Sequence, residues 1–217
     1  MIEIGFNSEN ISVIPVPTYH YNQAILPKKE PEIINILFVT RFIELKGVLI
    51  VKHILQELRN QNFEKYKITF IGDGELFEET KEDLKDFKDN LLFLGKRSTP
   101  EIIEHYKDTY ITIYPGITDS NGREENQCLA VQEGFAYKIP TIAFNIGGLS
   151  ECVHHLKTGF LIEPKNYKGF AEAIITLYND YELRNKLAEG AFDLYETKYS
   201  EKVIDSQYKN YLKKIES

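Results

Sequence analysis

A chain of 217 residues, 42% hydrophobic and 27% charged, has the balance of a globular domain and enough apolar material for a sizeable core. Its net charge of -7 excludes a nucleic-acid binder that works by counterion displacement, which needs clustered Lys and Arg, so any phosphate must be met by a few local cations. Cys128 and Cys152 make no disulfide framework and stand at no metal-ligand spacing from another Cys or His. With no apolar run of membrane-spanning length and no signal-peptide pattern, the expectation is a reducing, cytoplasmic setting, peripheral attachment to the inner face of a membrane being left to parts outside this chain.

Residues 1–33 read as a lead-in and linker rather than a domain. Ile11 to Pro17 reads as a short strand ended by prolines, and Gln23 to Glu32, with Pro27 and Pro31 among charges, as the linker. Alternation begins at Asn35: Ile36 to Val39 is an apolar strand, and Val48, Val51, Leu55 and Leu58 recur at helical spacing after Gly47. Tyr66 to Ile71 is a second strand, broken by Gly72-Asp73-Gly74, and Glu75 to Asp89 is a charged helical stretch. Leu91 to Leu94 is a third strand; Thr99-Pro100 then opens a helix through Tyr106, with Thr as cap and Pro in the first turn. Tyr110 to Tyr114, Thr141 to Phe144 and Gly159 to Ile162 supply three more strands. The tail is helical: Phe170, Ile174 and Leu177 share a face, as do Leu183, Leu187, Ala191 and Leu194, and then Ile204, Tyr208, Tyr211 and Ile215 after a Ser200 cap. Strands alternating with helices predict an α/β, Rossmann-like doubly wound parallel sheet over residues 34–198, followed by a C-terminal helix over 199–217.

In such sheets ligands sit beyond the C-terminal ends of the strands. Arg41, Lys46, Gly72, Asp73, Gly95, Arg97, Gly116, Glu125 and Gly147 all follow a predicted strand, so the candidate site is one rim of one sheet. Its centre is Glu125-Asn126-Gln127-Cys128-Leu129-Ala130-Val131-Gln132-Glu133, two carboxylates with seven residues between them, the second inside an apolar helical segment stopped by Pro140. On a continuous helix, eight steps carry the second carboxylate roughly 12 Å along the axis and about 80° around it. Between the two acids, the amides of Asn126 to Leu129 are expected in the first turn, where donors lack intrahelical partners and the dipole favours an anion. The arrangement suits a ligand with a negative centre and hydroxyls at both ends; a helix-start acid followed by a surface glutamate is the alternative reading of the same pair.

Three segments in this order, Phe38 to Gly47 with Arg41 and Lys46, the two-glutamate stretch, and Pro140 to Glu151 with Gly147-Gly148, resemble the donor-binding half of retaining GT-B glycosyltransferases, specifically glycosyltransferase family 4 (group 1). The resemblance runs from about Asn35 to Ser200. It implies one half of a GT-B fold that binds a nucleoside-diphosphate sugar, with Arg41 and Lys46 on the diphosphate, Glu125 on the transferred sugar and Glu133 on the ribose hydroxyls. Asn126, Gln127, Cys128 and Leu129 would act through backbone N–H groups, Gly147 and Gly148 would allow close backbone approach, and Arg97 and Thr99 are candidates for the base pocket. It implies further that an N-terminal acceptor-binding domain is missing, that a glycan or lipid-linked molecule is the acceptor, and that the isolated chain binds donor but transfers poorly, since the catalytic histidine the family often supplies from its first domain has no counterpart here. In GT-B enzymes the last helix crosses to the other domain, so the face from Ile204 to Ile215 is expected to be under-covered. Where the family commonly has Glu-x-Phe-Gly, this chain has Gln127 and Cys128; Thr40 and Gly134 stand where glycine and alanine are usual.

Other features carry less. Gly72-Asp73-Gly74 lacks the third glycine of a dinucleotide fingerprint, and Asp73-Gly74-Glu75 only approaches an Asp-x-Asp metal motif. No cofactor and no metal are expected, since cations and a helix end can hold phosphates. Glu151 reads equally as a helix-start acid, and His154-His155 as a surface pair on a helix. A non-catalytic nucleotide-sugar-binding subunit or sensor is the second hypothesis, distinguished by whether a companion Rossmann half restores transfer.

Overall fold

The computed structural model of the protein describes residues 11–18 and 31–216. Six strands form one parallel sheet: β1 (Ile34–Val39), β2 (Tyr66–Ile71), β3 (Leu91–Phe93), β4 (Ile111–Tyr114), β5 (Thr141–Phe144) and β6 (Gly159–Ile162), in the order β3-β2-β1-β4-β5-β6. β4 and β5 are buried at every residue, which is why they are near-continuous apolar runs. The order reverses between β1 and β4, and that opening lies at the rim the sequence marks.

The helices are α1 (Val51–Asn60), α2 (Phe77–Asp83), α3 (Thr99–Lys107), α4 (Leu129–Ala136), α5 (Leu149–Cys152), α6 (Tyr167–Asn179), α7 (Tyr181–Leu194) and α8 (Glu201–Glu216). They pack in two groups against the sheet. In one, α1 packs on α6, with His53 stacked on Tyr167. In the other, Tyr106 of α3 stacks on Tyr137 at the end of α4. α7 closes against α4 through Arg184, a fully buried guanidinium whose Nε and Nη2 donate to the Tyr110 carbonyl at 3.1 and 2.9 Å and whose Nη2 also donates to the Lys138 carbonyl at 3.3 Å. Burial without a carboxylate pulls this group down to about 10.

Several local expectations are corrected. Residues 11–17 form no strand; only Thr18 makes a bridge, to Ser200, because Pro15 and Pro17 remove donors from the segment. Residues 23–30 of the expected linker lie outside the described residues. The charged stretch splits into α2 and a 3-10 helix, Lys85–Asn90, which places Leu84 and Phe87, three apart, in the core. Ser98, not Thr99, caps α3: its amide and hydroxyl both donate to Glu101, and Thr99 becomes the first helical residue. His154 and His155 follow α5 in a loop, where the Thr158 hydroxyl accepts from the His154 amide and His155 Nδ1 accepts from the Leu161 amide. α7 passes through a π turn, Tyr195–Tyr199, and the Ser200 hydroxyl donates back to the Glu196 carbonyl. Of the expected α8 face, Ile204 is buried, Tyr211 half-buried and Tyr208 48% exposed, so it is uncovered only in part; Leu212, outside that face, is 55% exposed. Among the described residues, no helix is long and apolar enough to cross a membrane.

Candidate functional site

β1 ends at Val39, and the chain leaves the sheet through Thr40, Arg41 and Phe42. Phe42 is fully buried against Phe70, Phe77 and Phe93, and its amide donates to the Asp73 carbonyl at 2.7 Å. Fixing Phe42 leaves Arg41 on the exposed side of the same strand end, with no ion-pair partner among the described residues. One 3-10 turn later, Glu44–Lys46, closed by Gly47, delivers Lys46. Its ammonium donates to Glu125 Oε2, an ion pair with both side chains largely buried.

Glu125 to Cys128 is not helical: α4 starts at Leu129 with Cys128 as its cap, and no side-chain hydrogen bond announces the start. The first amides of α4 that lack an acceptor within the helix are therefore those of Leu129 and Ala130 rather than those of Asn126 and Gln127. The axial separation expected for a continuous helix does not apply, because Glu125 precedes the helix. Its loop is held from behind by Gly147 and Gly148. The Gly148 amide donates to the Glu125 carbonyl at 2.6 Å, and a Cβ on Gly148 would lie 1.6 Å from the Asn126 carbonyl oxygen. The glycine pair thus admits this chain's own backbone and does not line the cavity described below. Gln127, where the family commonly has Phe, pairs like a strand with the lead-in: its Oε1 accepts from the Val16 amide and its Nε2 donates to the Val16 carbonyl, each at 3.3 Å.

Glu133 lies one turn into α4. Its Oε2 accepts from the Tyr106 hydroxyl at 3.0 Å; burial pushes the carboxyl above its usual range, and the tyrosine hydrogen bond opposes that rise. Beneath it, the Tyr114 hydroxyl is buried with no hydrogen-bond partner among the described residues. Burial also raises the Cys128 thiol to about 12, against the opposing pull of Lys46, so this cysteine is a packing residue and not a nucleophile.

Arg41, Lys46, Arg97, Leu129, Ala130 and Glu133 line one cavity of about 390 Å³ at the switch point, together with Gln127 and Cys128. Of the residues singled out from sequence, Thr99, which is exposed, lies outside its lining, and so do Glu125, Asn126, Gly147 and Gly148; Glu125 reaches it through Lys46, and Asn126 and Gly148 line a second cavity of about 420 Å³ behind Gln127. Sequence reasoning missed Lys96, a fourth cation of the cavity beside Arg41, Lys46 and Arg97, and Tyr106. Lys96 follows β3 directly, so the strand-end rule could have found it; Tyr106 is half a helix away and no local pattern marks it. Among the described residues no group of three His, Cys, Asp or Glu side chains could hold a metal ion.

A family model described as glycosyl transferases group 1 matches residues 22–193. The capsular polysaccharide biosynthesis glycosyltransferase CapM of Staphylococcus aureus is 25% identical over 228 residues, covering 98% of this chain and 56% of CapM. S. aureus TarM, crystallised in complex with Fondaparinux, alpha-GlcNAc-glycerol and UDP, superposes at a TM-score of 0.75 with 24% identity, covering 97% of this chain and 41% of that one. The C-terminal domain of the glycosyl transferase group 1 protein LpcC from Francisella tularensis superposes at 0.64 with 22% identity, covering 86% of this chain and 96% of that domain. The chain thus spans about half the length of the longer relatives it matches. Its parallel sheet, its strand order and the family match over most of its residues agree: the chain belongs to the group 1 glycosyltransferases and has the Rossmann-like fold of a GT-B C-terminal domain.

Proposed function

We propose that this chain supplies the nucleoside-diphosphate-sugar side of a retaining glycosyltransferase that moves a hexose onto a glycan or lipid-linked acceptor. The observation that carries the reading is the convergence of Arg41, Lys46, the first-turn amides of α4 and Glu133 on one cavity at the switch point. The cations and the helix start meet the diphosphate, and Glu133, an acceptor-only group when ionised, meets the ribose hydroxyls. TarM, with the same fold, was crystallised with UDP, which favours a uridine nucleotide as the first to test.

In the reaction, the bond between the anomeric carbon and the diphosphate oxygen breaks with its electron pair going to the diphosphate. Arg41, Lys46 and the α4 amides stabilise the charge that develops there. Glu125, released from Lys46 as that ammonium turns to the diphosphate, faces the oxocarbenium-like sugar. The acceptor hydroxyl attacks from the departing side and passes its proton to the leaving oxygen, so the anomeric configuration is retained. The scheme calls for no metal ion. The acceptor side of the cleft is assigned to a further Rossmann half, with the uncovered Tyr208 and Leu212 of α8 at the junction, and the complete enzyme to the cytoplasm.

Thermal-shift and calorimetric titration with UDP, GDP, ADP and their common sugars, on the wild type and Glu133→Ala, tests the reading. Stabilisation by one base family, much weakened in the variant, is the expected result. Equal response to every nucleotide and to inorganic pyrophosphate, unchanged by the substitution, would overturn it.

A further inference from the structure

From the hydrogen bond at the floor of the cavity we infer that Tyr106 is a positioning residue that sets the ribose selectivity of the site by holding the Glu133 carboxylate in one orientation. The inference rests on the reading of Glu133 as the ribose ligand.

Glu133 stands on the first turns of α4 and faces the cavity, so a free carboxylate there has several rotamers open to it. Tyr106 removes that freedom. Its hydroxyl donates to Oε2 at 3.0 Å and lies 3.4 Å from the Ala130 carbonyl oxygen, on the turn of α4 that precedes Glu133. The tyrosine itself cannot follow a moving carboxylate: it is 2% exposed, and its ring is stacked on Tyr137 with centroids 5.2 Å apart and planes 9° from parallel. No other side chain donates to Glu133 among the described residues, so Oε2 is engaged by protein and Oε1 is left to the cavity.

A carboxylate with one oxygen tied and one presented meets a single hydroxyl directionally, and a directional acceptor tells a ribose from a 2′-deoxyribose. Tyr114, another buried tyrosine near the site, makes no hydrogen bond to Glu133. The neighbouring α3 therefore has a part in the site although it presents only Ile102 to the cavity.

The experiment is calorimetric titration of the whole chain with UDP and with 2′-deoxy-UDP, or with the GDP or ADP pair if the panel selects that base. It compares wild type, Tyr106→Phe, Glu133→Gln and the double variant, with circular dichroism and thermal melts recorded for each. The wild type should prefer the ribonucleotide, and Tyr106→Phe should lower that preference about tenfold by weakening the ribonucleotide alone. Adding Tyr106→Phe to Glu133→Gln should change the preference no further. A Tyr106→Phe variant that keeps the full preference, or that weakens both nucleotides equally, overturns the positioning role while leaving Glu133 as the ligand. A wild type that binds both nucleotides alike, or a preference that survives Glu133→Gln, refutes the ribose reading itself and the inference with it. A merely structural contribution of Tyr106 would move the melting temperature and both affinities together, not their ratio.

Discussion

The two glutamates of the central stretch stand at opposite ends of one site and are held by opposite means. Glu125 lies in a loop and is matched by a full positive charge, the Lys46 ammonium. Glu133 lies on a helix, sunk toward the core, and is matched only by a neutral hydroxyl. The first carboxylate occupies a cation that a diphosphate would use; the second is kept as a strong, oriented acceptor at the cost of desolvation. In the proposed donor site the same residue type is thus a counter-ion to be released at one end and a fixed hydrogen-bond acceptor at the other.

The contrast predicts its own failures. Removing the fixed acceptor, Glu133→Ala, should weaken the cognate nucleoside diphosphate about 10- to 100-fold by calorimetry, because a charge-assisted contact to the ribose is lost. Removing the counter-ion should act in the other direction: Glu125→Gln frees Lys46, and affinity for the sugar-free diphosphate should rise about fivefold while affinity for the monophosphate stays unchanged. A fall in both affinities for Glu125→Gln would show that the pair is a structural strut instead. The smallest effect is on stability. Burial raises the Glu133 carboxyl above its unfolded value, so the stability present below the unfolded value is lost as pH rises through the folded one. Glu133→Gln should therefore melt higher than wild type at neutral pH, and the gap should close on acidification below the ordinary carboxylate range. Nucleotide affinity of the wild type should fall over the same window, from the higher-pH side, as the acceptor protonates.

What could be read in advance follows the same division between local and distant causes. β2, β5 and β6 have the bounds expected from short apolar runs closed by Gly or Pro, because flanking chemistry and burial coincide there. The start of α4 was set too early, since a cysteine cap gives no side-chain signal and an acid before a helix looks like one inside it. Arg41, Lys46, Arg97 and Glu133, which line one cavity, were legible as local patterns, strand ends and a spaced pair of acids. Tyr106 was not, because its partner is 27 residues away and meets it only when α3 and α4 lie side by side. The glycine pair was found, yet its observed contact is with the chain's own Asn126 and Glu125 backbone, a relation that no single segment contains.

Arg184 has a consequence of another kind. Its charge is matched by the oxygen ends of peptide dipoles from Tyr110 and Lys138, not by an ion. Mobile ions do not reach a guanidinium in the interior. The seam joining α7 to the start of β4 and the end of α4 is therefore held by a forked shape rather than by net charge. A lysine, carrying the same charge at a point, cannot span those two carbonyls in the same way.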